Sequence, residues 1–315
     1  MRAGLSARRR WWTVEPARTD TPRLSSRRAY LEVLVVFGVF FASGVAAAAF
    51  SVNGSHLPSS VAGWSEAIPA SIDQVATGIL CVLVPVLLAR RRQLHSSDLG
   101  LRTPAGADAS QWVRIAAWAA LALIVGSGVT AVLATGSYPL KSFTYPTLTV
   151  NLFHSLQAGP LEEIVVVAFL VTTLEQARRP RPEIIAVALL LRASYHIYYG
   201  PGVAGIFVWA AVFLWLFLRF RTILPLIAVH SLWDVMVILA HQWTAAAAID
   251  SLLWTSLLVT SVILWLVHRA NRQTPQGPLL APPGWYPDPA GSGGIRWYDG
   301  RTWAPIAHPP PPSRW

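Results

Sequence analysis

Six ionisable side chains stand inside apolar stretches of this 315-residue sequence: Glu162, Glu163, Arg192, His196, His230 and Asp234. A charge at membrane depth costs roughly 2.5–3.5 kcal/mol on insertion scales, and such groups persist where they face a bundle interior or a wet cavity. Here they fall on three successive hydrophobic segments. The two acids follow Gly159-Pro160-Leu161. Pro160 has no N–H and crowds the carbonyl of Leu156, so the helix is expected to kink or restart there. Neighbouring helix residues point about 100° apart, which lets one acid face a cavity while the other pairs with an adjacent helix. Two carboxylates capping a helix start at the interface are the plainer alternative.

Arg192 and His196 are four residues apart and share a helix face. An Arg at this depth needs a counter-charge, and Glu162 or Glu163 is the natural candidate. His230 and Asp234 repeat the spacing. An Asp one turn from a His orients the ring and sets its tautomer, although such a pair can also serve only to join helices. Tyr195, Tyr198 and Tyr199 suit an interfacial aromatic belt, the preferred reading for the last two. The chemistry open to the whole set is activation of water in a dry setting. A carboxylate beside an imidazole takes a proton from water, while a second His and a polar partner steady a developing oxyanion. The same groups suit a metal equally well, because two His and one Glu are a familiar catalytic zinc set with one position left for water.

Long helices must position these groups. The chain is 54% hydrophobic and only 13% charged, against about 25% charged in a soluble domain. Its net charge of +10 does not point to nucleic acid, since the basic residues gather in short loops and near the N-terminus. Crossing the hydrocarbon takes about 20 apolar residues in a helix. Eight spans are expected, at 30–50, 68–90, 111–134, 148–175, 183–199, 201–219, 222–241 and 249–268. The fifth is short and polar, so protein should cover it. Loop charges alternate: eight Arg precede the first span, none lie in 51–65, and Arg90, Arg91, Arg92 and Arg102 follow the second. The pattern continues through Arg178, Arg179 and Arg181, then Arg219 and Arg221, then Arg269 and Arg272. This alternation predicts both termini in the cytoplasm.

The expected fold is therefore an all-α integral membrane bundle of about eight spans with a small β-meander at the C-terminus. Residues 1–29 read as a basic cytoplasmic tail, 30–268 as the membrane domain, 269–281 as a linker, 282–304 as a Trp-rich β unit and 305–315 as a Pro-rich tail. The lone Cys81 lies in an apolar run and reads as a buried, unreactive thiol. Asn53-Gly54-Ser55 matches a glycosylation sequon by its three residues alone. No phosphate-cradling Gly-rich loop, paired-Cys zinc pattern or solenoid repeat is found. In the C-terminal unit, Asp299-Gly300 marks a turn between alternating aromatics. So small a unit has little core and is expected to rely on stacked Trp285, Trp297 and Trp303. A docking role for an unidentified partner or for lipid is the second reading of those rings.

Two resemblances emerge from these residues. Gly284-Trp285-Tyr286-Pro287-Asp288-Pro289 with Arg296-Trp297-Tyr298-Asp299-Gly300 and Trp303 resembles a short bacterial domain of unknown function that opens W-Y-P-D-P and ends R-W-Y-D-G-x-x-W. Over about 145–240 the chain resembles the CPBP intramembrane proteases, also called the CAAX-protease/bacteriocin-processing or Abi family, whose pattern is E-E-x-x-x-R, F-x-x-x-H and H-x-x-x-N/D on successive spans. Glu162 and Glu163 match the first motif, His196 the second, and His230 with Asp234 the third. Val167 stands where the family has Arg, and Arg192 where it has Phe. The positive charge is expected to have moved to the neighbouring helix, where it neutralises one Glu.

The resemblance implies a multi-pass peptidase of the bacterial cell membrane acting on membrane-associated or lipidated protein, with lipid around it. It implies Glu162 as general base on water with His196, His230 and Asp234 at the oxyanion, and Glu163 paired with Arg192 in support. If the enzyme uses a metal such as zinc, Glu162, His196 and His230 would hold it; a metal-free glutamate mechanism uses almost the same residues. A proton-coupled carrier is the second reading, because buried acid and His chains also relay protons. A membrane scaffold displaying the C-terminal unit is the third.

Overall fold

The computed structural model describes residues 23–52, 61–102, 109–134, 143–243, 282–299, 302–306 and 308. It divides into two compact units, 1–261 and 262–315. In the first, helices α1 (Ser26–Val52), α2 (Trp64–Arg91) and α3 (Ala109–Leu133) precede α4 (Tyr145–Glu162). A π-helical stretch, Glu163–Phe169, carries α4 directly into α5 (Leu170–Gln176). Helix α6 (Arg181–Ser194), a 3-10 turn (Ile197–Gly202), α7 (Val203–Phe220) and α8 (Leu224–Gln242) complete it. Five of the described helices are long and apolar enough to cross a membrane: Ser26–Val52, Trp64–Arg91, Ser110–Leu133, Tyr145–Gln176 and Ile197–Phe220. The expected eighth span, 249–268, lies outside the described residues. Helix α6, at 14 residues, rises only about 21 Å and is shorter than a span.

The rod from Tyr145 to Gln176 is the axis of this unit. Thr144 caps its start by accepting the N–H of Thr147. The helix does not restart at Pro160; it runs through and then widens to π-type turns at Glu163. Pro160 leaves the Leu156 carbonyl without its i+4 donor, and the Ser231 hydroxyl of α8 donates to that carbonyl at 3.0 Å. Gly159 makes the approach possible, since a Cβ there would lie 2.2 Å from Ser231 Oγ and 2.6 Å from the Ile227 carbonyl oxygen. The missing donor and the missing side chain together seat α8 against α4, one residue away from His230. Gly159→Ala is expected to destabilise the unit by about 1–3 kcal/mol, the usual penalty of overpacking. Melting in detergent checks this, and adding Ser231→Ala should not restore stability because the Ile227 backbone still obstructs.

A second close crossing holds α3 to α7, where a Cβ on Gly205 would lie 2.0 Å from the Gly126 carbonyl oxygen. Ion pairs gather at the helix ends that bear the arginine-rich loops. Arg221 meets Glu175 at 2.6 Å, Arg179 meets Glu183 at 2.6 Å and Arg92 meets Glu32 at 3.4 Å, while Tyr30 donates to Glu183. These contacts tie α1, α2, α5, α6 and α7 together there. Cys81 is buried, with its Sγ on the Gly78 carbonyl oxygen at 3.1 Å.

Among the described residues, the C-terminal unit is a two-stranded antiparallel sheet, β1 (Gly284–Pro287) on β2 (Ile295–Tyr298). Later residues add single bridges, Ile295 with His308 and Tyr298 with Trp303. The three Trp do not share one stack. Trp285 faces Trp297 edge-on at 5.6 Å, whereas Trp303 packs on Tyr298 at 5.0 Å. The register explains this: Trp285 opposes Trp297 on one face, and Tyr298 alternates to the other. The buried ring is Tyr298, at 4% exposure, not a tryptophan.

Asp288 anchors the loop between the strands. The Ser292 side chain, and then the Ala290 N–H and Arg296, hold its carboxyl below the ordinary range. A depressed carboxylate stabilises the fold above its unfolded value of about 3.9, and that contribution is lost as pH falls through the folded value. The indole N–H resonances of Trp285, Trp297 and Trp303 are therefore expected to stay dispersed near neutrality and to collapse in acid below about pH 4. Asp288→Asn cannot titrate, so its indole resonances should already be less dispersed near neutrality and should lose this acid-dependent step.

Candidate functional site

The six residues singled out by their cost come from three helical elements packed together in the first unit. Glu162 ends α4 and Glu163 begins the π stretch. Arg192 lies in the last turn of α6, with His196 just beyond it, and α8 carries His230 and Asp234. At the centre is the Arg192 guanidinium, 1% exposed. Its Nη1 reaches Glu162 Oε2 at 3.2 Å and Glu163 Oε1 at 3.0 Å, and its Nη2 donates to the Glu162 backbone carbonyl at 3.3 Å. The relocated charge thus serves both acids, where one was expected. Val167 is buried in the apolar core and takes no part.

Arginine suits this position because its planar fork supplies several donors at fixed angles, which lysine cannot. The π stretch begins at Glu163, the residue after the carbonyl that Arg192 caps. Such widened turns recur where a helix re-aims side chains. Glu163 is fully buried, and its Oε1 takes both Arg192 and His230 Nδ1, the latter at 2.8 Å. Its Oε2 has no protein partner.

The two His rings are held differently. His196 Nδ1 lies 2.9 Å from the Arg192 carbonyl oxygen. A carbonyl can only accept, so Nδ1 carries the hydrogen and Nε2 of the neutral ring keeps its lone pair. His230 turns Nδ1 to Glu163, and its Nε2 lies 3.7 Å from Asp234 Oδ2. That distance is too long for a hydrogen bond. The ring is therefore oriented by Glu163 rather than by Asp234, as its i+4 spacing had suggested.

Two further residues belong to the site. Tyr195 is buried at 8% exposure and donates its hydroxyl to Glu162 Oε2 at 3.0 Å, so it is no part of an interfacial belt. Trp209 of α7 lies under the Arg192 guanidinium at 4.6 Å and meets the His230 ring edge-on at 5.2 Å. Tyr195 stands three residues after Arg192, a spacing that could have suggested a shared face. Trp209 carries no such mark in a helix rich in aromatics.

Zinc would need Glu162, His196 and His230 to turn donor atoms to one point. Among the described residues, no group of three or more His, Cys, Asp or Glu is arranged to hold a metal. Glu162 Oε2 already accepts two donors, and a guanidinium sits between the acids. The residues as placed do not fit a metal.

Residues 143–236, which include every residue of the cluster, match the family described as Type II CAAX prenyl endopeptidase Rce1-like. Residues 283–314 match the family described as Protein of unknown function (DUF2510). No curated protein matches the chain, and no solved structure does. The stretch from α4 to α8 is thus similar to the CAAX-protease family, and the C-terminal unit is similar to the second.

Proposed function

We propose that this chain, similar to the CAAX-protease family over its residues 143–236, is an intramembrane endopeptidase that hydrolyses a peptide bond with water activated by Glu162 and His196. The observation that carries the reading is the holding of Glu162. Two donors converge on Oε2, which leaves Oε1 to act as base beside an imidazole whose Nδ1–H is already engaged.

Water sits between Glu162 Oε1 and His196 Nε2. Its oxygen bonds to the scissile carbonyl carbon while one proton passes to Glu162. The carbonyl oxygen, now negative, is stabilised by His230, which donates from Nε2 in its doubly protonated form. Glu163 orients that ring through Nδ1, and the Asp234 carboxylate, 3.7 Å from Nε2, favours its charged form. Glu162 then returns its proton to the amine nitrogen as the C–N bond breaks, so the base ends as it began. Glu163 and Arg192 keep the set in register, and the apolar helices exclude bulk water, which strengthens each interaction.

The substrate class is a membrane-associated protein, with a lipidated C-terminal segment as the family description suggests. The alternation of loop charges supports both termini on the cytoplasmic side, and the family resemblance supports a bacterial cell membrane. The test is cleavage of peptides in proteoliposomes carrying the purified chain, with the products read by mass. A lipid-tethered peptide should be cut at one bond, its untethered form far more slowly, and a divalent-metal chelator should leave the rate unchanged. Flux driven by a pH gradient, with no peptide cut, would replace this reading with a carrier.

A further inference from the structure

We propose that α1, which lies outside the matched residues, works as a clamp on the catalytic acid through Tyr195, making Tyr195 a positioning residue of the reaction. The inference rests on the protease reading of Glu162.

The clamp is built from aromatic rings. Phe37 and Phe41 are one helical turn apart on the buried face of α1 and stack on each other at 4.9 Å. Phe41 in turn stacks on the Tyr195 ring at 4.6 Å, and Phe37 touches it at 6.2 Å. On the far side Tyr195 packs against His196 at 4.5 Å. The ring is therefore caught between α1 and the second catalytic residue. Held there, its hydroxyl can rest only on Glu162 Oε2, at 3.0 Å.

This contact has a consequence that Arg192 does not supply. Arg192 Nη1 is shared between Glu162 and Glu163, so alone it does not choose between positions of the Glu162 carboxylate. The Tyr195 hydroxyl, at the C-terminal end of the same helix, adds a second donor to Oε2 from a ring that α1 holds. Two donors on one oxygen fix the rotation of the carboxylate and keep Oε1 turned to water. Gly44 of α1 stands opposite the Tyr195 Cβ, where an added Cβ would lie at an ordinary contact distance of 3.8 Å.

Tyr195→Phe keeps the ring and its stacking and removes only the donor. It is expected to lower kcat on the lipid-tethered peptide about 10- to 100-fold, with KM within about twofold, as loss of a hydrogen bond to a charged group predicts. Phe41→Ala frees the ring and should reproduce part of that loss, while Phe41→Leu should sit between it and wild type. In the Tyr195→Phe background, Phe41→Ala should cost no further activity, because its effect passes through the hydroxyl. A merely structural Phe41 would instead reduce activity by the same factor in both backgrounds. The proposal falls if Tyr195→Phe turns over at the wild-type rate while wild type is active. Failure of wild type to cut any tethered peptide would sink the protease reading itself, a different outcome.

Discussion

Arg192→Ala is expected to lose about 3–5 kcal/mol of stability, the penalty for leaving buried charge uncompensated, and with it all peptide cleavage. The guanidinium touches Glu162, Glu163 and the Glu162 carbonyl, and stacks on Trp209. Without it, two adjacent carboxylates face each other across a dry core. Most domains have only about 5–15 kcal/mol in reserve, so much of the purified variant should melt or be proteolysed near room temperature. The charge, not the bulk, is decisive, and a second set of variants separates them. Arg192→Met combined with Glu163→Gln and Glu162→Gln removes the guanidinium and both of its carboxylate partners together, and should recover much of the melting midpoint while staying inactive. Arg192→Lys should fall between, because one ammonium cannot serve both acids and the carbonyl at the angles the fork provides. A stable, active Arg192→Ala would mean that the acids are neutralised by something other than Arg192.

How much of this was legible beforehand depended on whether a residue carried an energetic mark. Glu162, Glu163, Arg192, His196, His230 and Asp234 were legible because each is expensive in an apolar segment, and expense demands a reason. Tyr195 and Trp209 carry no such mark: an aromatic ring in an apolar sequence is unremarkable until the fold shows what lies beside it. The π turns at Glu163–Phe169 were illegible for a similar reason, since a change in hydrogen-bond register leaves no trace in composition. Pro160 did flag that a donor was missing, but the relief came from Ser231 on a distant helix instead of from a break. Partner choice at His230 shows the limit of spacing arguments. The i+4 rule brought Asp234 near, yet the tertiary approach of Glu163 took the hydrogen bond. In the C-terminal unit the strands were legible from alternation, whereas the connection between them, residues 288–294, carried no turn signal that was read. The division of its rings between two faces required the register.

Glu162→Gln separates function from fold. General-base catalysis contributes about 10²- to 10⁴-fold, so cleavage should drop by that factor while the protein remains folded. The amide keeps a carbonyl oxygen to accept from Tyr195 and Arg192, and the variant removes one negative charge from a cluster with three carboxylates and a single guanidinium. Its melting midpoint should match or exceed that of wild type, the opposite of the Arg192→Ala result. Membranes from cells carrying this variant should accumulate an uncut precursor absent from wild type, identifiable by comparing the two proteomes. Glu163→Gln is the internal control. It disturbs the partner of His230 and of Arg192 without removing the base, so it should lower stability and activity together. If Glu162→Gln cut the tethered peptide at the wild-type rate, the base would lie elsewhere, and the rings and charges gathered around Glu162 would serve packing alone.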